Sequence, residues 1–216
     1  MNHLASKWTG KTIVTFGDSI TWYDGQPYGS THSESGQIAV GYQSYMRKHL
    51  DAVVKNEGVS GYTMPQISEK VRTYDFTGVD AVTLTAGAND FRNIPTLLGT
   101  VRPIGNEFDN STTIGALQSA IEYILGQNPK IRIYILTPIR GWNGSDVMPT
   151  AYPDGLKKAA ECYALPVCDW YCESGINAIT KSVYIGDDDT LPYELHPTNS
   201  GFERMAGILI PFLVTH

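Results

Sequence analysis

Long apolar runs are missing from this chain. None approaches the roughly 20 residues that a bilayer-spanning helix requires, so no membrane partner is expected. Residues 1–10 lack the cationic start and apolar block of a secretory signal. That leaves localisation open between the cytoplasm and a larger surface or secreted assembly. An excess of positive charge is also missing, since 16 Lys and Arg face 22 Asp and Glu for a formal net charge of -6. Such a balance excludes the basic footprint of a nucleic-acid binder. Cysteine is scarce, with Cys162, Cys168 and Cys172 making up the full count of 3. An odd number without a C-x-x-C gives neither a disulfide framework nor a metal knuckle. The three read as small buried apolar side chains of a reducing compartment. No H-E-x-x-H, Walker loop or dinucleotide-binding glycine pattern occurs, so neither a metal nor a cofactor is expected.

What is present is ordinary globular material. The chain has 216 residues, 42% hydrophobic and 18% charged, enough for one domain over 1–216 with a core that needs no staple. Short apolar runs rich in Val and Ile at 12–16, 52–56, 81–85, 131–136 and 165–168 read as strands. Amphipathic stretches at 43–49, 64–73, 113–126, 153–163 and 200–214 read as helices between and after them. That alternation predicts an α/β fold whose parallel sheet is covered on both faces. Right-handed crossovers put every strand-to-helix loop on one edge. The long loops (20–42, 91–112, 139–152 and 170–198) all fall on that edge, so the binding surface is expected there. Several aromatics sit in them: Trp22, Tyr23, Tyr28, Trp142, Tyr152 and Tyr193.

The strand ends on that edge carry distinctive tails. Gly17-Asp18-Ser19 follows the first strand, Asn56-Glu57-Gly58-Val59-Ser60-Gly61 the second and Gly87-Ala88-Asn89-Asp90 the third. Leu195-His196-Pro197-Thr198 precedes the last helix. Taken singly these are turn glycines, helix caps and a packed histidine. Together they supply the parts of acyl transfer through serine. Ser19 serves as nucleophile and His196 as base. The backbone N–H groups of Ser19 and Gly61, with the Asn89 amide, serve as donors to an oxyanion. Ser60 resembles part of a G-x-S-x-G elbow, but Tyr62 stands where that motif ends in glycine, so Ser60 reads as a turn hydroxyl.

These tails resemble, in order and over residues 11–205, the motifs of the SGNH hydrolases, also called GDSL esterases. The resemblance implies a flavodoxin-like three-layer α/β/α fold with a five-stranded parallel sheet. It also implies cofactor-free ester hydrolysis, often of acetyl groups on carbohydrates and sometimes of lipid esters or thioesters. Ser19, Gly61, Asn89 and His196 match the family's functional positions, while Asp18 and Asp90 match residues that shape the site. One position departs: the family's acid lies three residues before the histidine, where this chain has Tyr193. Tyrosine brings no negative charge at neutral pH. Glu194, the acidic run Asp187-Asp188-Asp189, or a backbone carbonyl could orient His196 instead, and Glu194 is preferred. The acidic run reads as a solvated loop more readily than as a calcium site. The expected activity is hydrolysis of a small ester, an O-acetyl group on a saccharide. A glycan-binding module without catalysis, motivated by Tyr193, and a lipid-ester or thioester hydrolase are the rivals. Oligomeric state is open.

Overall fold

Successive residues of a strand face opposite ways, so a sheet covered on both sides buries neighbours in different cores. In β1 (Thr12–Phe16), Ile13 and Val14 are both fully buried, each in a separate apolar cluster. β3 (Ala81–Thr85) and β4 (Arg132–Leu136) repeat the pattern, with Ala81 and Tyr134 on one side and Val82 and Ile133 on the other. The structure is a computed structural model that describes residues 7–92 and 97–216.

With β2 (Val53–Asn56) and β7 (Val167–Cys168), these strands form one parallel sheet of 5 strands in the order β2-β1-β3-β4-β7. Numbered along the sheet's own strands this is the flavodoxin-like order. The strand order reverses between β1 and β3, and the crevice at that switch point is where open α/β sheets bind ligands. Helices α2 (Tyr42–Leu50) and α9 (Asn199–Thr215) cover the first face. Helices α3 (Met64–Val71), α5 (Thr113–Gln127) and α6 (Ala151–Cys162) cover the second. The layers are therefore α/β/α. No helix among the described residues is long and apolar enough to cross a membrane.

Hydroxyl caps start three of the covering helices. Thr112 accepts from Gly115 N at 3.1 Å to open α5, and Thr198 accepts from Gly201 N at 3.1 Å to open α9. Thr63 and Gln66 form a reciprocal capping box at the start of α3, satisfying donors that a helix end leaves unpaired.

Three expectations need correcting. The strand expected at 165–168 shortens to Val167–Cys168, because Pro166 accepts from Ile135 N at 3.1 Å but has no N–H to return. The long loops are not featureless. They hold, wholly or in part, the short helices α1 (Ser19–Trp22), α4 (Ala88–Arg92), α7 (Trp170–Glu173) and α8 (Lys181–Tyr184). They also hold a small antiparallel sheet, β6-β5-β8, made from β5 (Trp142–Asn143), β6 (Asp146–Val147) and β8 (Tyr193–Glu194). Elements of two to five residues leave no periodicity to read. Finally, only Cys168 of the three cysteines is buried, while Cys172 is exposed on α7. Residues 1–6, part of the 1–10 stretch read as lacking a secretory signal, and 93–96 of the loop at 91–112 lie outside the described residues.

Leu209 of α9 is fully buried against the first face. Leu209→Ala should cost about 2–5 kcal/mol, read as a lower urea midpoint with an unchanged slope.

Candidate active site

The site assembles where the tails of β1, β2 and β3 meet the segment before α9. Ser19 is the first residue of α1, with Asp18 as its cap accepting from Ile20 N at 3.0 Å. As a first-turn residue, Ser19 keeps a backbone N–H without a partner inside the helix. A buried polar layer clamps α1 from below. Asn56 Nδ2 and Gln43 Nε2 each donate to Thr21 O at 2.8 Å, and the Thr21 hydroxyl meets Tyr42 Oη at 3.0 Å. Gly58 lies so close to α1 that a Cβ would strike the backbone of Thr21 and Trp22. The motif glycine after β2 is thus a matter of room. At Gly61 the reason differs: its φ of +83° is in the left-handed region that glycine enters without strain.

The third tail closes on the second. Asn89 Nδ2 donates to Tyr62 O at 3.0 Å, which fixes an amide that still carries another N–H. Asp90, fully buried, accepts from Met64 N at 3.0 Å and from the Thr113 hydroxyl at 2.6 Å. Burial raises the Asp90 carboxyl above its ordinary range, against the pull of Thr113 and of the N–H of Met64. Its contacts tie α3 and α5 to the end of β3.

Ser19 and His196 are brought together, with His196 Nε2 2.9 Å from Ser19 Oγ. On the other side of the ring, Nδ1 lies 2.8 Å from Asp187 Oδ1. The same carboxylate accepts at Oδ2 from Leu195 N at 2.7 Å and His196 N at 2.9 Å. A carboxylate on Nδ1 requires the tautomer with its proton there, which leaves the Nε2 lone pair facing the serine hydroxyl. Burial works to raise the Asp187 carboxyl. The hydrogen bond and charge of His196, with the two backbone N–H groups, outweigh it and hold the acid below its usual range. The side chains of Asp187 and His196 are 3% and 11% exposed.

The preference for Glu194 is therefore corrected. Adjacent strand residues project to opposite faces. In β8 it is Tyr193 that turns to His196, ring centroids 5.9 Å apart. Glu194 turns away and pairs with Lys181. Asp187 reaches the imidazole because residues 185–187 run back antiparallel to 196–197, with Ile185 bridging Pro197 and Gly186 N donating to His196 O at 2.9 Å. Residues 188–192 then loop out, turned by Asp188 accepting from Thr190 N at 3.0 Å, before the chain returns as β8. Spacing along the chain carries no signal for such a detour, so Asp187 stood in the sequence only as one of three acids. The Tyr23 ring also packs against His196, with centroids 5.1 Å apart. Among the described residues no three His, Cys, Asp or Glu are grouped to hold a metal.

A three-layer α/β/α sheet with serine, histidine and carboxylate in line at its carboxyl edge is the architecture of a carboxylic ester hydrolase. A family model described as GDSL-like lipase/acylhydrolase matches residues 15–204, and the chain belongs to that family. No curated protein matches it. Among solved structures, a protein from Lactobacillus plantarum is 20% identical with a TM-score of 0.74, over 96% of this chain and 98% of that one. A lipase/acylhydrolase from Enterococcus faecalis is 16% identical with a TM-score of 0.61, over 95% and 96%. A catalytic mutant of an acetylxylan esterase from Geobacillus stearothermophilus is 19% identical with a TM-score of 0.64, over 95% and 94%. At these identities the likeness is one of fold.

Two tests follow from the geometry. Asp187→Asn should lower p-nitrophenyl acetate turnover on the order of 10³- to 10⁴-fold, while Glu194→Gln stays within about threefold of the parent, inside the scatter of a surface ion pair. The lowered pKa of Asp187 also has a pH signature. It stabilises the fold above the unfolded carboxylate pKa of about 4, and that share is lost as pH falls through the lower folded value. The urea midpoint should drop on acidification, and drop less in Asp187→Asn.

Proposed function

We propose that this enzyme hydrolyses small esters, O-acetyl groups on a saccharide best of all, through an acyl-enzyme on Ser19. The observation that carries the reading is the unbroken line from Asp187 through His196 to Ser19 Oγ. In the first half-reaction Ser19 Oγ attacks the ester carbonyl carbon while His196 Nε2 takes the hydroxyl proton. Asp187, already ionised, stabilises the imidazolium and keeps the ring in its tautomer. The carbonyl oxygen becomes an oxyanion, which the backbone N–H groups of Ser19 and Gly61 and the Asn89 amide are proposed to receive. Collapse breaks the bond to the alcohol oxygen, and His196 returns the proton to that leaving group. Water then repeats the sequence on the acyl-serine and releases the acid.

The surroundings favour a hydroxylated alcohol over a long acyl chain. The leaving oxygen must sit beside His196, where the rings of Tyr23 and Tyr193 flank the imidazole. A cavity of about 300 Å³ beside Tyr193 is lined by Lys181, Asp189, Leu191, Pro192 and Glu194, and its charged groups suit the hydroxyls of a saccharide. The fold shared with an acetylxylan esterase supports the same reading. With a carboxylate on His196, the motive for a non-catalytic glycan binder disappears.

Ser19→Ala should abolish p-nitrophenyl acetate hydrolysis while the circular dichroism spectrum stays that of the parent. Among p-nitrophenyl esters, acetate should be the best acyl group, and acetylated xylo-oligosaccharides should release acetate. A rate maximum at octanoate or beyond would overturn the substrate assignment, and full activity in Ser19→Ala would overturn the mechanism.

A further inference from the structure

Asp187 stands nine residues before His196, at the end of a detour, and no tight local turn fixes it to the histidine. Its support comes from the segment between α1 and α2. His32 pairs with Asp187 in an antiparallel bridge. Ser33 N donates to Gly186 O at 2.7 Å and Asp188 N donates to Thr31 O at 2.9 Å, one bond on each side of the acid. The His32 side chain is buried and stacked on Tyr28, with centroids 3.8 Å apart and planes 3° from parallel. Tyr28 is itself anchored, its hydroxyl donating to Pro197 O at 2.9 Å. His32 Nδ1 accepts from Glu34 N at 3.1 Å, and Glu34 Oε2 accepts from Asn199 N at 2.7 Å. The segment is thereby pinned at both ends of the Asp187–His196 pair.

The ring also meets the backbone next to the acid. A Cβ built on Gly186 would overlap Cε1, Nε2 and Cδ2 of His32. Gly186 does not have a positive φ, so it is the His32 ring, and no backbone demand, that reserves this place for glycine. We propose that His32, wedged between Tyr28 and Gly186, is a positioning residue that holds Asp187 against His196 Nδ1. The inference rests on reading Ser19, His196 and Asp187 as the reacting array. Four titratable groups face the ring: Asp187, Glu34, His196 and Tyr28. Burial drives the imidazole towards its neutral form against the carboxylates of Asp187 and Glu34. A neutral wedge supplies shape without charge, and leaves Asp187 to His196. Misplacing a reacting group by about 1 Å can cost on the order of 100-fold in rate, which sets the scale of the effect.

The test is a set of cycles on p-nitrophenyl acetate turnover. His32→Ala should lower kcat roughly 10- to 100-fold with KM nearly unchanged, and His32→Phe, which restores a flat ring, should recover most of the loss. Gly186→Ala should lower kcat comparably, and combining it with His32→Ala should be no worse than His32→Ala alone, since the new Cβ then has room. In an Asp187→Asn background, His32→Ala should have no further effect, because the residue acts through the acid. An unchanged kcat in His32→Ala, or an equal fold loss with and without the Asp187 carboxylate, overturns the proposal. If His32→Ala does not fold, the contrast between an active His32→Phe and an impaired Gly186→Ala decides the matter, and the reverse order overturns it. A parent enzyme with no Ser19-dependent turnover would overturn both the array and the wedge. An active parent, dead as Ser19→Ala but indifferent at position 32, would overturn the wedge alone.

Discussion

The carboxylate of Asp187 is out of water, and a buried charge is tolerated only where hydrogen-bond donors answer it. Here two backbone N–H groups and one imidazole N–H do so. Those bonds decide more than the comfort of one acid. They select the His196 tautomer, and the tautomer decides that a lone pair faces Ser19. They also weld the segment at 185–187 to the start of α9, so the loop beside the site becomes part of the last helix's foundation. A change at Asp187 therefore reaches both the chemistry and the fold.

The other half of the site depends on room. The tails of β1, β2 and β3 converge because the strand order reverses between β1 and β3, and convergence brings backbones closer than side chains allow. Gly58 answers by having no Cβ against α1. The polar layer of Asn56, Gln43, Thr21 and Tyr42 fills the space beneath with paired groups. The serine thus sits on a short helix held by strands and a covering helix, which is the rigid support a reacting group needs.

How much of this the sequence discloses follows from how far each signal reaches. The parallel sheet was legible because Val- and Ile-rich runs alternate with helical periods, and the α/β/α layers follow from that pattern. The places of Ser19, Gly61 and Asn89 at strand ends and of His196 before the last helix were legible because each is tied there by its neighbours. Asp187 was legible only as one of three acids in an alternative to Glu194, since its pairing with His196 depends on an antiparallel return that no short-range pattern encodes. Proximity in sequence pointed to Glu194, and the side alternation of β8 sent that carboxylate to Lys181 instead. Gln43 and His32 were silent for a related reason. Each acts through the tertiary fold, one under Thr21 and the other beside Gly186.

The central claim is that Ser19 is activated through His196 by the carboxylate of Asp187. Labelling with a fluorophosphonate, followed by peptide mass spectrometry, tests it most directly. The account predicts a covalent phosphonyl adduct on Ser19 in the parent enzyme and labelling slowed on the order of 10³-fold or more in Asp187→Asn. No adduct on Ser19, or an equal labelling rate without the Asp187 charge, would contradict it.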